Sequence, residues 1–214
     1  MSNISINIKG FGQYDLRNGI TPLEVISETK VISNDSIICK VDGVLTDLSA
    51  PLLSNCELQF MDAKSKDGHS VLLHSTAHLM AQAVKRLFPK TKVTIGPFLE
   101  NRFYYDFDVE TPFTEDDLSK IEEEMTKISK EDLSIVHEIR SQKEAIKYFE
   151  GINETYKVEI INDLGDDETL KVYSQGEFTD LCRGPHVPST GVIKHFKLLA
   201  SSAAYWRGDE NNQT

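Results

Sequence analysis

The chain has 214 residues, 39% hydrophobic and 27% charged, with 23 Lys and Arg against 34 Asp and Glu for a formal net charge of −11. This composition excludes a disordered, collagen-like or disulfide-framework chain, and the length suits two modest domains or one large one. A chain this acidic has no general attraction for phosphate backbones, so any nucleic-acid contact must be local.

No apolar run approaches the roughly eighteen residues of a membrane span. Met1-Ser2-Asn3-Ile4-Ser5 lacks the basic and apolar regions of a secretory signal. Cys39, Cys56 and Cys182, odd in number and widely spaced, read as reduced thiols of a cytoplasmic protein.

Residues 1–62 read as one unit. Ile4, Ile6 and Ile8 alternate with polar residues and predict a half-buried strand that runs into Gly10-Phe11-Gly12, with a second strand over about 13–17. Pro22 opens a short helix whose apolar side carries Leu23, Val25 and Ile26. Ile37–Val41 and Val44–Leu48 flank Asp42-Gly43, a strong hairpin signal, and Cys56–Met61 supplies a last strand. This order suits a small α+β domain with its helix across one sheet face. Residues 62–68 are polar and small, the composition of a linker, which places the boundary there and a second unit over 63–214.

The second unit opens with a helix from about Ser70 to Phe88, its buried stripe formed by Met80, Ala83, Val84 and Leu87, and Pro89 stops it. Phe103, Tyr105, Phe107 and Val109 then alternate with polar neighbours and predict one strand. Thr114 and Asp117 form a capping box ahead of a helix over about 115–130 with Leu118, Ile121, Met125 and Ile128 inward. Six carboxylates between Glu115 and Glu124 read as its solvated face. Ser141 and Glu144 repeat the box before a shorter helix ending near Phe149. Tyr156–Ile161 and Leu170–Tyr173 read as strands. The polar tail from Gly208 to Thr214 reads as a stop at a domain edge.

Two clusters carry chemistry. His74 and His78, four residues apart, share a helix face roughly opposite the apolar stripe, with Ala77, Ala81 and Lys85 beside them. That face is either a cleft wall or plainly solvated. Ser75-Thr76-Ala77 lacks the intervening Glu of a metalloprotease signature. The second cluster, Thr179 to His186, packs an acid, a thiol, a guanidinium and an imidazole around a Gly-Pro turn. His74, His78, Cys182 and His186 can be tetrahedral zinc ligands or acid–base groups around an ester. The blander reading is a structural thiol with a loop histidine nearby.

Four ordered segments resemble the N-terminal region of bacterial threonyl-tRNA synthetases. They are His74-Ser75-Thr76-Ala77-His78, the stretch from Ile95-Gly96-Pro97 to Phe103-Tyr104-Tyr105-Asp106, Asp180 to Pro188, and Ala204-Tyr205-Trp206-Arg207-Gly208-Asp209. The resemblance covers the whole chain. It implies an α+β architecture, with a TGS domain of ubiquitin-like β-grasp fold over 1–62 and an editing domain over 63–214. It further implies an aminoacyl-tRNA ester hydrolase acting on the tRNA(Thr) acceptor end carrying serine, without ATP. The rest of the synthetase chain, with its class II catalytic and anticodon-binding domains, would lie beyond Thr214.

The site residues that the resemblance implies are His74, His78, Asp180, Cys182 and His186 around the ester, with Lys157 and Tyr105 as pocket residues. His74 and His186 would position water or ribose, and Asp180 would hold the seryl amine. Cofactors are expected to be absent. Zinc at His74, His78, Cys182 and His186 is chemically open but not favoured, because four protein ligands leave no position for water. Lys85, Arg183 and Arg207 could touch phosphate locally but read as solvated charges. Two rival readings are a zinc-dependent hydrolase of the alanyl-tRNA editing type, which shares the HxxxH and CxxxH patterns, and a non-catalytic tRNA-binding module.

Overall fold

The structure, a computed structural model, describes residues 2–94, 96, 98, 99, 101–165 and 169–202. Ile95, Pro97, the Ala204–Asp209 motif with Arg207, and the polar tail lie outside the described residues.

The first unit comprises β1 (Asn3–Ile8), β2 (Gly12–Arg17), α1 (Pro22–Thr29), β3 (Ser36–Val41), β4 (Val44–Thr46) and β5 (Cys56–Asp62). Its five strands lie in the order β2-β1-β5-β3-β4, with β1 and β5 parallel and the other pairs antiparallel. Thr21 caps α1 in a full capping box with Glu24, and Val25 and Ile26 pack onto Ile4, Ile6, Ile8 and Leu58. The β3–β4 hairpin turns on Asp42-Gly43, both at positive φ. The second strand of that hairpin stops at Thr46 rather than Leu48. Leu48 leaves the ladder to fill the first core, and its carbonyl accepts the Leu23 N–H.

The expected linker is absent. The fifth strand runs through Asp62 and α2 (Lys66–Leu87) begins four residues later, capped by Ser65, whose Oγ donates to the Asp62 carbonyl and accepts the Gly68 N–H. Short polar residues serve here as a strand-to-helix turn because their side chains satisfy the first helical amides. Sheet and helix therefore share a core. Cys39 on β3 faces the first cluster, while Ile37, Ile38 and Met61 join a second cluster with Val71, Leu79 and Met80.

Every residue of α2 from Ser75 to Val84 is buried. Leu87, assigned to the apolar stripe, is 37% exposed, since the last turn runs past the core. The region expected to be one strand over 103–109 is divided. β6 (Lys92–Val93) pairs with β9 (Phe107–Asp108), and β7 (Phe98–Leu99) pairs with β8 (Arg102–Phe103). Changing partners between the eighth and ninth strands takes Tyr105 out of any ladder and turns it inward, where it stacks on Phe107 at 5.1 Å.

α3 (Glu115–Glu131) has the expected capping box and buries Ile121, Met125 and Ile128. β10 (Ile135–Arg140), which periodicity did not reveal, precedes α4 (Gln142–Gly151), capped by Ser141 and Glu144 as expected. The segment predicted as a strand over 156–161 is instead α5 (Thr155–Asn162). Short apolar runs do not distinguish the two states, and here the i,i+4 pair Lys157 and Ile161 is buried, with Ile161 against Phe149. β11 (Leu170–Gln175) and β12 (Phe178–Leu181) complete an antiparallel sheet in the order β10-β11-β12. The chain is thus α+β with a mixed first sheet. Among the described residues no helix is long and apolar enough to cross a membrane.

The strand-to-helix turn generates a stability prediction. A Cβ on Gly68 would lie 1.9 Å from the backbone oxygen of Asp62. Gly68→Ala should therefore destabilise the chain by about 1–3 kcal/mol, the usual cost of overpacking, despite alanine's better helix propensity. Urea unfolding with an unchanged or raised midpoint would contradict this account of the turn.

Candidate functional site

The site forms where α2 meets the end of β12 and the loop that follows. His74 and His78 sit one turn apart with rings 5.1 Å apart edge to face, and the His186 ring lies 4.5 Å from the first and 4.3 Å from the second. Cys182 Sγ is 3.2 Å from His74 Nε2 and 3.4 Å from His186 Nε2. The solvated-face reading fails, because His78 is 4% and His186 1% exposed; His74 is only half-buried.

The loop is fixed from two sides. Ser75 Oγ lies 3.0 Å from His186 Nδ1 and accepts the Val187 N–H at 3.1 Å. Gly184 N–H donates to Cys182 Sγ at 3.2 Å. Gly184 has φ +65°, and a Cβ there would meet the Tyr173 hydroxyl at 1.9 Å, so only glycine fits.

A second polar group adjoins the first. Asp180, 1% exposed, accepts the Tyr105 hydroxyl on Oδ2 at 2.5 Å and the Leu181 N–H on Oδ1 at 2.8 Å, and Lys157 Nζ stands 2.5 Å from that same Oδ1. Lys157 also donates to the Thr94 carbonyl at 2.6 Å and the Tyr105 oxygen at 3.1 Å. His78 Nε2 is 3.7 Å from Asp180 Oδ2, which joins the two groups. The surface reading of Lys157 does not hold, since its helix buries it. All seven residues named from the sequence converge here, although the amine role expected of Asp180 meets a carboxylate already engaged by three donors.

Burial sets the protonation states. It pushes His74 below the usual imidazole range, and the Asp180 carboxylate offsets this in part. His78 and His186 fall well below it, through burial first and then repulsion from neighbouring cations and imidazoles. The Cys182 thiol is pushed up to about 12, mainly by burial, and the Tyr105 phenol far above its ordinary range by burial and Asp180. Near neutral pH the cluster is three neutral imidazoles and a protonated thiol.

Candidate ligand atoms of His74, His78, Cys182 and His186 lie within 4.8 Å of one another, and neutral imidazoles with one thiol are a zinc-type donor set. These side chains fit a tetrahedral ion. With all four bound, the shell would be closed, the arrangement of a structural site.

Sequence reasoning missed Ser75, treated as a spacer although its place one residue after His74 carries it toward the loop. It also missed Asp47, 4% exposed, which contacts this loop from the first unit; no local signal marks a contact across 139 residues. Lys85, considered for phosphate, instead pairs with buried Glu154 at 2.6 Å.

Residues 170–214, which include Asp180, Cys182 and His186, match the family described as "Threonyl and Alanyl tRNA synthetase second additional domain". Particular relatives are threonine–tRNA ligases. The chain is 47% identical over its full length to that of Pelobacter propionicus, covering 34% of the relative. It is 46% identical over 211 residues to that of Acetivibrio thermocellus, which is 98% of this chain and 33% of the relative. Against that of Carboxydothermus hydrogenoformans it is 50% identical over 195 residues, 91% of this chain and 31% of the relative. The chain thus spans about a third of the length of these curated relatives.

The neutral histidines give stability a definite pH dependence. Their folded values lie below the ordinary 6.5, so below that pH the unfolded state binds more protons. The stabilisation is complete above about 6.5 and is lost as pH falls toward the folded values, at up to about 1.4 kcal/mol per pH unit per histidine. Urea unfolding from pH 7.5 to 5.5 should show this loss, and His78→Gln should flatten it. Equal slopes in both proteins would refute neutral burial of His78.

Proposed function

We propose that the chain is the editing part of a threonyl-tRNA synthetase and hydrolyses the ester of seryl-tRNA(Thr). The observation that carries this reading is the enclosed set of His74, His78, Cys182 and His186 against the Asp180–Lys157–Tyr105 group, within a chain similar over its length to threonine–tRNA ligases. The strand order β2-β1-β5-β3-β4, with its two central strands parallel and a helix on one face, supports reading the first unit as a β-grasp TGS domain.

Threonine and serine differ by one methyl, worth about 1–3 kcal/mol or roughly 10–200-fold in a binding pocket, which is too little for accurate charging. A second, hydrolytic site supplies the missing discrimination. Ester hydrolysis requires an oriented water, a proton acceptor and a group to assist the leaving ribose oxygen. Neutral imidazole can accept the proton, and His74, the half-buried member, is the one that water can reach. A thiol held near 12 is not a nucleophile at neutral pH, so Cys182 orients His74 and His186 rather than attacking. His186, locked by Ser75 and beside Cys182, backs His74 on the ribose side of the ester. Asp180 takes the seryl amine by exchanging the ammonium of Lys157 for that of the substrate, with Tyr105 keeping the carboxylate in place.

Purified chain should shorten the half-life of seryl-tRNA(Thr), and His74→Ala or His186→Ala should slow cleavage by about 10²–10⁴-fold. Activity should persist in EDTA, because a zinc ion holding all four side chains would leave no site for water. Half-lives equal to a protein-free control would refute the function, and chelator-sensitive activity with stoichiometric zinc would favour the zinc hydrolase.

Selectivity should reside in the chemical step. The extra methyl of threonine is too small to prevent docking but large enough to displace the attacking water from a near-attack position. Single-turnover assays at saturating protein should therefore show threonyl-tRNA(Thr) bound but cleaved far more slowly. Equal cleavage rates once bound, or a difference in affinity alone, would refute water displacement.

A further inference from the structure

The first unit reaches into the site through one carboxylate. Asp47 follows β4 at the edge of the five-stranded sheet and is 4% exposed. Its Oδ1 accepts the His186 backbone N–H at 2.9 Å and its Oδ2 accepts the Tyr173 hydroxyl at 2.8 Å. His137 Nδ1 stands 3.3 Å from Oδ2 without hydrogen-bond geometry.

The residues held by Asp47 are those that shape the catalytic loop. Tyr173 packs edge to face on the His186 ring at 4.5 Å, and its hydroxyl fills the space beside Gly184 that a Cβ would need. In the β10-β11-β12 sheet, His137, Tyr173 and Asp180 are directly paired neighbours. One carboxylate therefore fixes the backbone of His186, the ring against it and, through Tyr173, the strand opposite Asp180. Ser75 holds the same loop from the side of α2. Without Asp47 a buried amide and a buried hydroxyl would lose their partners, which a loop can relieve only by moving.

We propose that Asp47 is a positioning residue for His186, so that the first unit completes the hydrolytic site of the second. This rests on the reading of the site as a seryl-tRNA(Thr) hydrolase. Asp47 touches no substrate; it acts by keeping His186 Nε2 beside Cys182 and its ring against His74. Displacing a positioned group by about an ångström costs on the order of 10²-fold in rate, and this is the loss expected on its removal.

The test uses the 214-residue chain, with variants first checked for a cooperative thermal transition. In single-turnover cleavage of seryl-tRNA(Thr), Asp47→Ala should lower the saturating rate about 10–100-fold while half-saturation changes little. Asp47→Asn, which keeps an acceptor for the His186 amide and a group for the Tyr173 hydroxyl, should recover most of that rate. In a His186→Ala background, Asp47→Ala should cost almost nothing more, because a residue acting through His186 has nothing left to position. Wild-type rates in folded Asp47→Ala, or full additivity with His186→Ala, would overturn the proposal.

A second readout does not depend on activity. With ¹⁵N-histidine labelling, the His186 amide should move upfield in Asp47→Ala and stay near its place in Asp47→Asn. An unmoved amide refutes the tie whatever the activity. A wild-type chain that cleaves no seryl-tRNA, while its His186 amide still answers to Asp47, refutes the hydrolase reading and leaves the tie standing.

Discussion

A helix buried on every side must find partners for each polar group it carries, and this constraint on α2 organises the molecule. Between Ser75 and Val84 it encloses Ser75, Thr76, His78 and Gln82. Thr76 returns its hydroxyl to the Leu72 carbonyl, whereas Gln82 exchanges bonds with Gln175 and donates to Glu177. Ser75 and His78 find their partners at His186, Val187 and Asp180. The sheet of β10, β11 and β12 and the loop after it are thus what make this helix possible to bury, and unsatisfied polar groups would cost more than the packing returns. The candidate site lies where this helix is less enclosed, around the half-buried His74.

The same enclosure sets the electrostatics. Three imidazoles so close together could not all be charged, and burial keeps them neutral before their mutual repulsion acts. Asp180 can stay in this interior because Lys157 stands beside it and Tyr105 donates to it. The site is consequently polar but nearly without net charge. In a chain of net charge −11 it offers a phosphate backbone little attraction.

What was legible in the sequence follows interaction range. The capping boxes at Thr114 and Ser141 and the Asp42-Gly43 hairpin are local, and the structure keeps all three. The segment around Lys157 was misread because its alternation suits a strand equally well; packing of Ile161 on Phe149 of the preceding helix decides, and periodicity within the segment does not report that contact. The supposed linker was misread for a related reason, since small polar residues mark a helix cap as readily as a flexible joint. His74, His78, Cys182 and His186 could be paired from residue type, yet whether they faced water depended on how much surrounds the second helix. Asp47, isolated in sequence, carried no sign of its contacts with the loop.

The four side chains of the cluster could serve an ion or acid–base chemistry, and the two uses exclude each other only where all four bind the ion, since three ligands would leave a place for water. Binding zinc through all four would require Cys182 to give up a proton that burial holds to about 12, and would engage every imidazole in the group. No ring nitrogen facing the centre would then remain to take a proton from water, and the closed shell would admit no water either. Metal-free acid–base hydrolysis would need the opposite condition, with lone pairs uncommitted and a thiol that retains its hydrogen. The distances allow both states, and because a bound ion would itself draw the proton off Cys182, zinc content and chelator sensitivity decide between them.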